Sequence, residues 1–290
     1  VRKTSVYLPD SLKRRLSALA ERTHRSEAEL IRSAVEHLVE GDASPPPAEL
    51  AVPGRLVGVG VGPGSADLLT VRALRALRRA DVVLAPSTDL SAVGRAEAIV
   101  REAAPDVVVE RMTFAMTPDP QARQAALDAA AARTVELLEA GDEVAFITLG
   151  DPNLYSTFSS VADGVRERRP RTTVLTVPGV MAFQDLAARA GVVLADDQQT
   201  FVVLPANEAE VSEPGGRVAE LLADSGCTLV LYKGGRRIEA IAERLQEAGR
   251  TEGATFGELL GMPGERVASV PSVADRPASY LSAVIVPAKR

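Results

Sequence analysis

Gly58-Val59-Gly60-Val61-Gly62-Pro63-Gly64, Thr148-Leu149-Gly150-Asp151-Pro152-Asn153-Leu154-Tyr155-Ser156-Thr157-Phe158 and Val177-Pro178-Gly179-Val180 are the stretches whose residue types and spacing could serve chemistry. The first invites a nucleotide reading, and the spacing refuses it. A dinucleotide fingerprint needs G-x-G-x-x-G, yet counting from Gly58 puts Pro63 in the sixth place and counting from Gly60 puts Ser65 there. The Gly-Lys-Ser/Thr of a phosphate-binding loop is absent as well. Glycines at the carboxyl end of a strand still let a ligand approach the main chain, at the edge where open α/β sheets bind ligands, and a nucleoside without phosphates would suit the turn. The alternative is a tight strand-to-helix connection with no ligand. In the second stretch a carboxylate, a phenol and two hydroxyls gather where an apolar strand meets a helix; the alternative is an Asp-Pro turn followed by a helix cap. The third is again strand, turn, helix.

Composition removes other chemistries. The two histidines, His24 and His37, both lie near the N-terminus, and Cys227 is the single cysteine. The expectation is therefore no metal site, no disulfide framework and a reducing cytoplasm as the compartment. With 3% aromatic residues and no tryptophan, a base-stacking platform for single strands is not expected. No apolar run approaches the roughly 18 residues of a membrane span, and no h-region of a secretory signal is seen.

Those stretches need elements to hold them. Short β-branched runs at 56–61, 82–85, 107–109, 143–148, 173–177, 200–204, 228–232, 266–270 and 282–286 read as strands. Between them, 68–79, 121–140, 157–169, 180–190 and 236–248 read as amphipathic helices. In the first helix Val71, Leu74 and Leu77 are expected inward and Arg72, Arg75 and Arg78 outward. Such alternation predicts an α/β body of mainly parallel sheets. Past about residue 200 the helices thin out, which suggests a second, more mixed sheet. The proline-rich run around Pro45-Pro46-Pro47 reads as an extended spacer. The expected division is 1–42 for a head, 43–54 for the linker, and 55–171 and 172–290 for two lobes.

The net charge of −6 is unevenly spread. Residues 2–25 hold seven bases (Arg2, Lys3, Lys13, Arg14, Arg15, Arg22, Arg25) against Asp10 and Glu21, so only the head suits a polyanion. Residues 2–8 alternate like a half-buried strand, with Lys3, Ser5 and Tyr7 on one face. One helix follows Pro9-Asp10, and a second starts at Ser26 with Glu29 completing a capping box. A lone strand must pair, and a two-fold dimer would give a ribbon that fits the major groove. In this order of basic strand, Leu-Pro-Asp, Leu-rich helix and Arg-Ser, the segment resembles the ribbon-helix-helix family of DNA-binding proteins. The resemblance implies duplex DNA as partner through Arg2, Lys3, Ser5 and Tyr7. The alternative is a dimerisation peg with solvated lysines. His24 stands where the family usually has glycine.

The body carries a second resemblance. V-G-V-G-P-G-x-x-D-L-L-T-x-R-A-L-R-A-L-R-R-A-D-V-V at 59–83, L-G-D-P-x-L-Y-S-T-F at 149–158 and Val177-Pro178-Gly179-Val180 are similar to the tetrapyrrole methylase family. Met112 to Met116, Val230 to Lys233, Gly261 to Arg266 and Ser279 to Ser282 are most similar to the branch that methylates a precorrin-2-type substrate in cobalamin biosynthesis. The resemblance implies two α/β/α lobes with S-adenosylmethionine in the cleft between them, and a homodimer. It implies donor contacts at Pro63, Leu149, Gly150, Asp151, Leu154, Met181, Ala182 and Lys233. Tyr155 and Ser156 would face the tetrapyrrole, Asp151 or Tyr155 would influence proton loss, and Arg236 and Arg237 would meet substrate carboxylates or remain solvated. The chain departs from the family at Met181-Ala182, where hydroxyls are common, and at Ser65 and Leu281. A second reading therefore stands beside the enzyme: a regulator whose body senses donor or tetrapyrrole without catalysis.

Overall fold

The structure is a computed structural model that describes residues 13, 14, 16, 17, 20, 25–32, 54–89, 91–114, 119–206, 211, 216–276 and 278–289. Arg2, Lys3, Ser5, Tyr7, the strand expected at 2–8 and linker residues 43–53 lie outside the described residues. Within the head, 27–32 are helical, and the capping box forms as read. The Ser26 N–H donates to Glu29 Oε2 at 2.9 Å, and the Glu29 N–H donates to Ser26 Oγ at 3.3 Å. These bonds from Ser26 hold the Glu29 carboxyl below its ordinary pKa.

The first lobe is a parallel sheet ordered β3-β2-β4-β1-β5. Its strands are β1 (Leu56–Gly60), β2 (Val82–Ser87), β3 (Val109–Thr113), β4 (Val144–Thr148) and β5 (Val174–Val177). Alternation along the strands splits the core in two. Leu56, Leu84, Val144 and Phe146 face α3 (Pro120–Glu139) and α4 (Thr157–Arg168), while Val57, Val83, Ala145 and Ile147 face α1 (Val71–Arg79) and α2 (Arg95–Ala103). Both faces being covered explains why β1 and β4 read as continuous apolar runs.

The second lobe is ordered β6-β7-β10-β8-β9. Its strands are β6 (Thr200–Pro205), β7 (Cys227–Tyr232), β8 (Thr255–Glu258), β9 (Arg266–Ser269) and β10 (Ser282–Val286). Only β6 and β7 run parallel; the other neighbours are antiparallel, giving the mixed sheet expected. Helices α6 (Arg217–Ala223) and α7 (Ile238–Glu247) pack on one face, and α5 (Ala182–Ala190) on the other through Phe183, Leu186 and Ala187.

The structure corrects four expectations. The division at 172 falls too early, because β5 pairs with β1 along Leu56↔Val174 to Val59↔Val177 and belongs to the first sheet. In α1 the buried residues are Ala73 and Leu77, while Val71 is 63% exposed. Steps of three lag a 3.6-residue turn, so Val71 has rotated out of the stripe. The third strand lies at 109–113 rather than 107–109. Elements α2, α6 and β8 went unread; β8 is four residues with a glycine, too short for a period to show.

Candidate active site

The carboxyl ends of β1, β4 and β5 meet through glycine. A Cβ on Gly60 would lie 2.4 Å from the Gly150 carbonyl oxygen and 2.6 Å from the Gly179 nitrogen. The Gly150 N–H donates to the Gly62 carbonyl at 2.8 Å, closing a small bridge between the two turns. Gly64 sits against the second lobe, where its Cβ would lie 1.8 Å from the Leu260 carbonyl oxygen. From the other side a Cβ on Gly261 would lie 2.3 Å from Ser65 N. Gly58 makes room for the Phe158 ring. These glycines thus admit protein to protein. The reading in which they admit a ligand is corrected at Gly58, Gly60 and Gly64, whose missing side chains face backbone or ring.

Beside this seam lies a cavity of about 610 Å³ between the lobes. Pro63, Leu149, Gly150, Leu154, Met181 and Ala182 line it, as do Tyr155, Ser156 and Lys233. Asp151 does not. Its carboxylate accepts the Gly179 N–H at 3.1 Å and the Asn153 N–H at 2.8 Å, tying the β4 turn to the β5 turn. Arg236 and Arg237 also lie outside the lining: they fall in the turn before α7, and Arg237 donates to the Ala206 carbonyl at 3.3 Å.

Met181 precedes α5 at the position where a hydroxyl would cap the helix, and it offers no side-chain cap. The orphan amide is satisfied from β7. Tyr232 Oη accepts the Phe183 N–H at 3.2 Å, and burial raises its pKa to about 12, so it stays neutral. The Met181 N–H donates to Gln184 Oε1 at 2.8 Å. The hydroxyls missing from 181 and 182 are thus replaced by a phenol from β7 of the same lobe, as far as helix capping is concerned.

Tyr155 donates its O–H to the Val203 carbonyl at 3.0 Å, and burial raises its pKa. A phenol so placed is an orienting ring that keeps its proton at neutral pH. Its ring meets Tyr232 edge-on at 6.2 Å, and Lys233 Nζ lies 5.7 Å from its centroid and 5.5 Å from that of Tyr280. Tyr155, Lys233 and Leu259 all line the cavity with φ of 52°, 64° and 51°. A left-handed backbone costs a bulky residue about 1 kcal/mol, a strain that clusters at functional sites. Ser156 is occupied as the cap of α4, accepting the Phe158 N–H at 3.1 Å and donating to Thr148 Oγ1 at 3.0 Å.

Sequence reasoning missed Arg95, Tyr232, Leu260, Met262, Tyr280 and Ser282 as lining residues. All but Arg95 and Leu260 lie in stretches already noted for the family resemblance; nothing near Arg95 signalled it. Among the described residues no His/Cys/Asp/Glu group could hold a metal, and no helix is long and apolar enough to cross a membrane.

Two α/β lobes around a cleft that Leu149 and Gly150 line at the carboxyl end of β4 agree with what comparison finds. Residues 55–273 match the family described as Tetrapyrrole (Corrin/Porphyrin) Methylases, and the chain belongs to that family. Residues 2–41 match the ribbon-helix-helix proteins of the copG family. The chain is 32% identical over 243 residues to a precorrin-2 C(20)-methyltransferase of Sinorhizobium sp, covering 81% of this chain and 95% of that one. It is 34% identical over 236 residues to the cobalt-precorrin-2 C(20)-methyltransferase of Salmonella typhimurium, covering 80% and 96%. Among solved structures, cobalt precorrin-4 methyltransferase shares the fold with a TM-score of 0.60 at 20% identity, over 81% of this chain and 95% of that one.

Proposed function

We propose that this chain transfers the methyl group of S-adenosylmethionine to a ring carbon of precorrin-2 or its cobalt form, in cobalamin biosynthesis. The observation that carries the reading is the cleft itself: Pro63, Leu149 and Gly150, beyond the carboxyl ends of β1 and β4, line a cavity between the lobes, in a chain similar over nearly its whole body to two C(20)-methyltransferases. The cavity suits the donor. Leu149, Leu154 and Met181 offer apolar contact beside the Gly150 backbone, and no phosphate handle is required. Ser282, 6% exposed and part of the lining, has a buried hydroxyl with no hydrogen-bond partner among the described residues, which a polar ligand group would satisfy.

When bound, the donor supplies a methyl group already activated by its sulfonium for in-line displacement by an electron-rich carbon. The chain's share is then orientation and exclusion of water. Pro63, Leu149 and Gly150 of the first lobe and Met181, Ala182 and Lys233 would hold the donor, with Asp151 acting as a positioning residue through the Gly179 and Asn153 amides. Tyr155 and Ser156 would border the tetrapyrrole. Incubating the chain with precorrin-2 and methyl-labelled donor should place label in the tetrapyrrole; donor bound without transfer would leave only the sensor reading.

The head extends the proposal: a two-fold ribbon reads duplex DNA through Arg2, Lys3, Ser5 and Tyr7, in a homodimer located in the cytoplasm. Its support is the family match of residues 2–41 and the local excess of bases. DNA affinity should fall steeply with salt and vanish when Arg2 and Lys3 are both changed to Ala; unchanged binding in that variant would remove the assignment.

A further inference from the structure

Among the described residues the cleft carries two cations and no acid. Of the described residues that line the cavity only Arg95 and Lys233 bear a charge, and they come from opposite lobes. Lys233 is engaged with the Tyr155 and Tyr280 rings. Arg95 is exposed and has no carboxylate partner among the described residues; its guanidinium meets only the Met262 thioether, with Nη1 3.6 Å from Sδ.

Local structure gives Arg95 no reason to be a cation. It opens α2, the end of a helix that disfavours positive charge. The one acid in that first turn, Glu97, is fully buried and committed elsewhere: it binds Arg111 at 2.6 Å and Arg101 at 2.6 Å. Many arginines of the first lobe, such as Arg78, Arg133 and Arg168, pair with carboxylates of the chain, whereas Arg95 points its fork at a cavity that offers none. A planar guanidinium is built for bidentate contact with a carboxylate, and the ligand must supply it.

We propose that Arg95 binds a carboxylate of the ligand held in the cleft and, with Lys233 on the facing lobe, selects acidic substrates. This rests on the tetrapyrrole methylase reading above. Two sources share the chemistry: a side-chain carboxylate of the tetrapyrrole and the amino-acid carboxylate of the methyl donor.

Equilibrium binding tests it without requiring turnover. Uroporphyrin III, a stable octacarboxylate, would be followed by its own fluorescence polarisation, and S-adenosylhomocysteine by calorimetry, both with the full chain. Arg95→Gln should weaken one of them about 10- to 100-fold, the worth of one charge-assisted pair, and Arg95→Lys should recover part of it. The exposed Arg75→Ala, on α1 away from the cleft, should change neither. Loss confined to uroporphyrin III assigns the carboxylate to the tetrapyrrole; loss confined to S-adenosylhomocysteine assigns it to the donor. Wild-type affinity of Arg95→Gln for both ligands would overturn the proposal while leaving the methylase reading intact. A wild-type chain that binds neither ligand would fail that reading itself.

Discussion

The two lobes contribute to the cleft in different currencies. The first is fixed by main chain packed behind the cavity: Gly60, Gly62 and Gly150 come so close at the carboxyl ends of β1 and β4 that no side chain fits at Gly60. The second presents an aromatic and cationic wall, with Tyr232, Lys233 and Tyr280 at the ends of β7 and just before β10. Buried charge is handled differently too. The first lobe meets its buried charges with opposite charges, Glu97 with Arg101 and Arg111, and Arg55 with Glu143. The second buries a base, Arg250, which is 3% exposed and donates to the carbonyls of Leu222, Asp224, Cys227 and Pro287 at 2.7–3.0 Å. Backbone contact fixes the first lobe's turns behind the cavity, which Arg95 and Tyr155 also line, while Tyr232, Lys233 and Tyr280 line it from the second lobe, and the two kinds of contact should fail in their own ways.

The largest effect is expected where the lobes share backbone. Gly60→Ala and Gly64→Ala put a methyl group against carbonyl oxygens that no rotamer change can clear, at a cost of about 3 kcal/mol or more each. Both should lower the melting temperature and abolish binding of S-adenosylhomocysteine. Gly141→Ala is the control: it has a φ of 88° with nothing within 4 Å, so only backbone strain of about 1 kcal/mol is expected. Equal losses at Gly141 and Gly60 would remove the close-packing argument.

Next in size is Tyr232→Phe, which leaves the start of α5 without its acceptor. About 1–3 kcal/mol of stability should go, together with donor affinity, both measurable by denaturant unfolding and calorimetry. Restoring a local cap with Met181→Ser in that background should recover stability. Recovery by the serine would show that the phenol stands in for the missing hydroxyl.

Asp151→Asn separates a positioning residue from a proton acceptor. The amide retains an oxygen for the Gly179 N–H, so a loss of about 1 kcal/mol is expected, with methyl transfer within about tenfold of wild type. A loss of several orders in kcat with donor binding intact would make Asp151 catalytic instead.

The smallest effect is the acid sensitivity of the first lobe. Arg111 above all, and Arg101, hold the Glu97 carboxyl below its ordinary pKa. A depressed carboxyl contributes stability above its unfolded pKa, near 4.3, and loses it as pH falls through the folded value. Melting temperature should therefore drop below about pH 4 in wild type, and Glu97→Gln, less stable at neutral pH, should show a shallower drop.

The sequence showed most of the architecture, for reasons tied to particular residues. The buried strands of the parallel sheet are unbroken apolar runs, and the turns after β1, β4 and β5 announce themselves as Gly-Pro-Gly, Gly-Asp-Pro and Pro-Gly. Nine expected site residues line the cavity, since all sit at or just beyond strand ends. What stayed hidden was reciprocity. That Gly64 answers Leu260 depends on how two lobes close, and that Tyr232 caps a helix forty-nine residues earlier depends on how α5 packs on β7; no local period records either. Asp151 illustrates the same limit: a carboxylate at a strand end reads as chemistry until its two backbone partners are seen.

The central claim is that a sulfonium donor rests on the main chain where the lobes meet. Calorimetric titration of S-adenosylhomocysteine into the full chain, beside Gly60→Ala, tests it most directly. The account predicts saturable one-to-one binding in the first and none in the second. A wild-type chain that gives no heat of binding at any concentration, or a Gly60→Ala chain that binds as tightly as wild type, would contradict it.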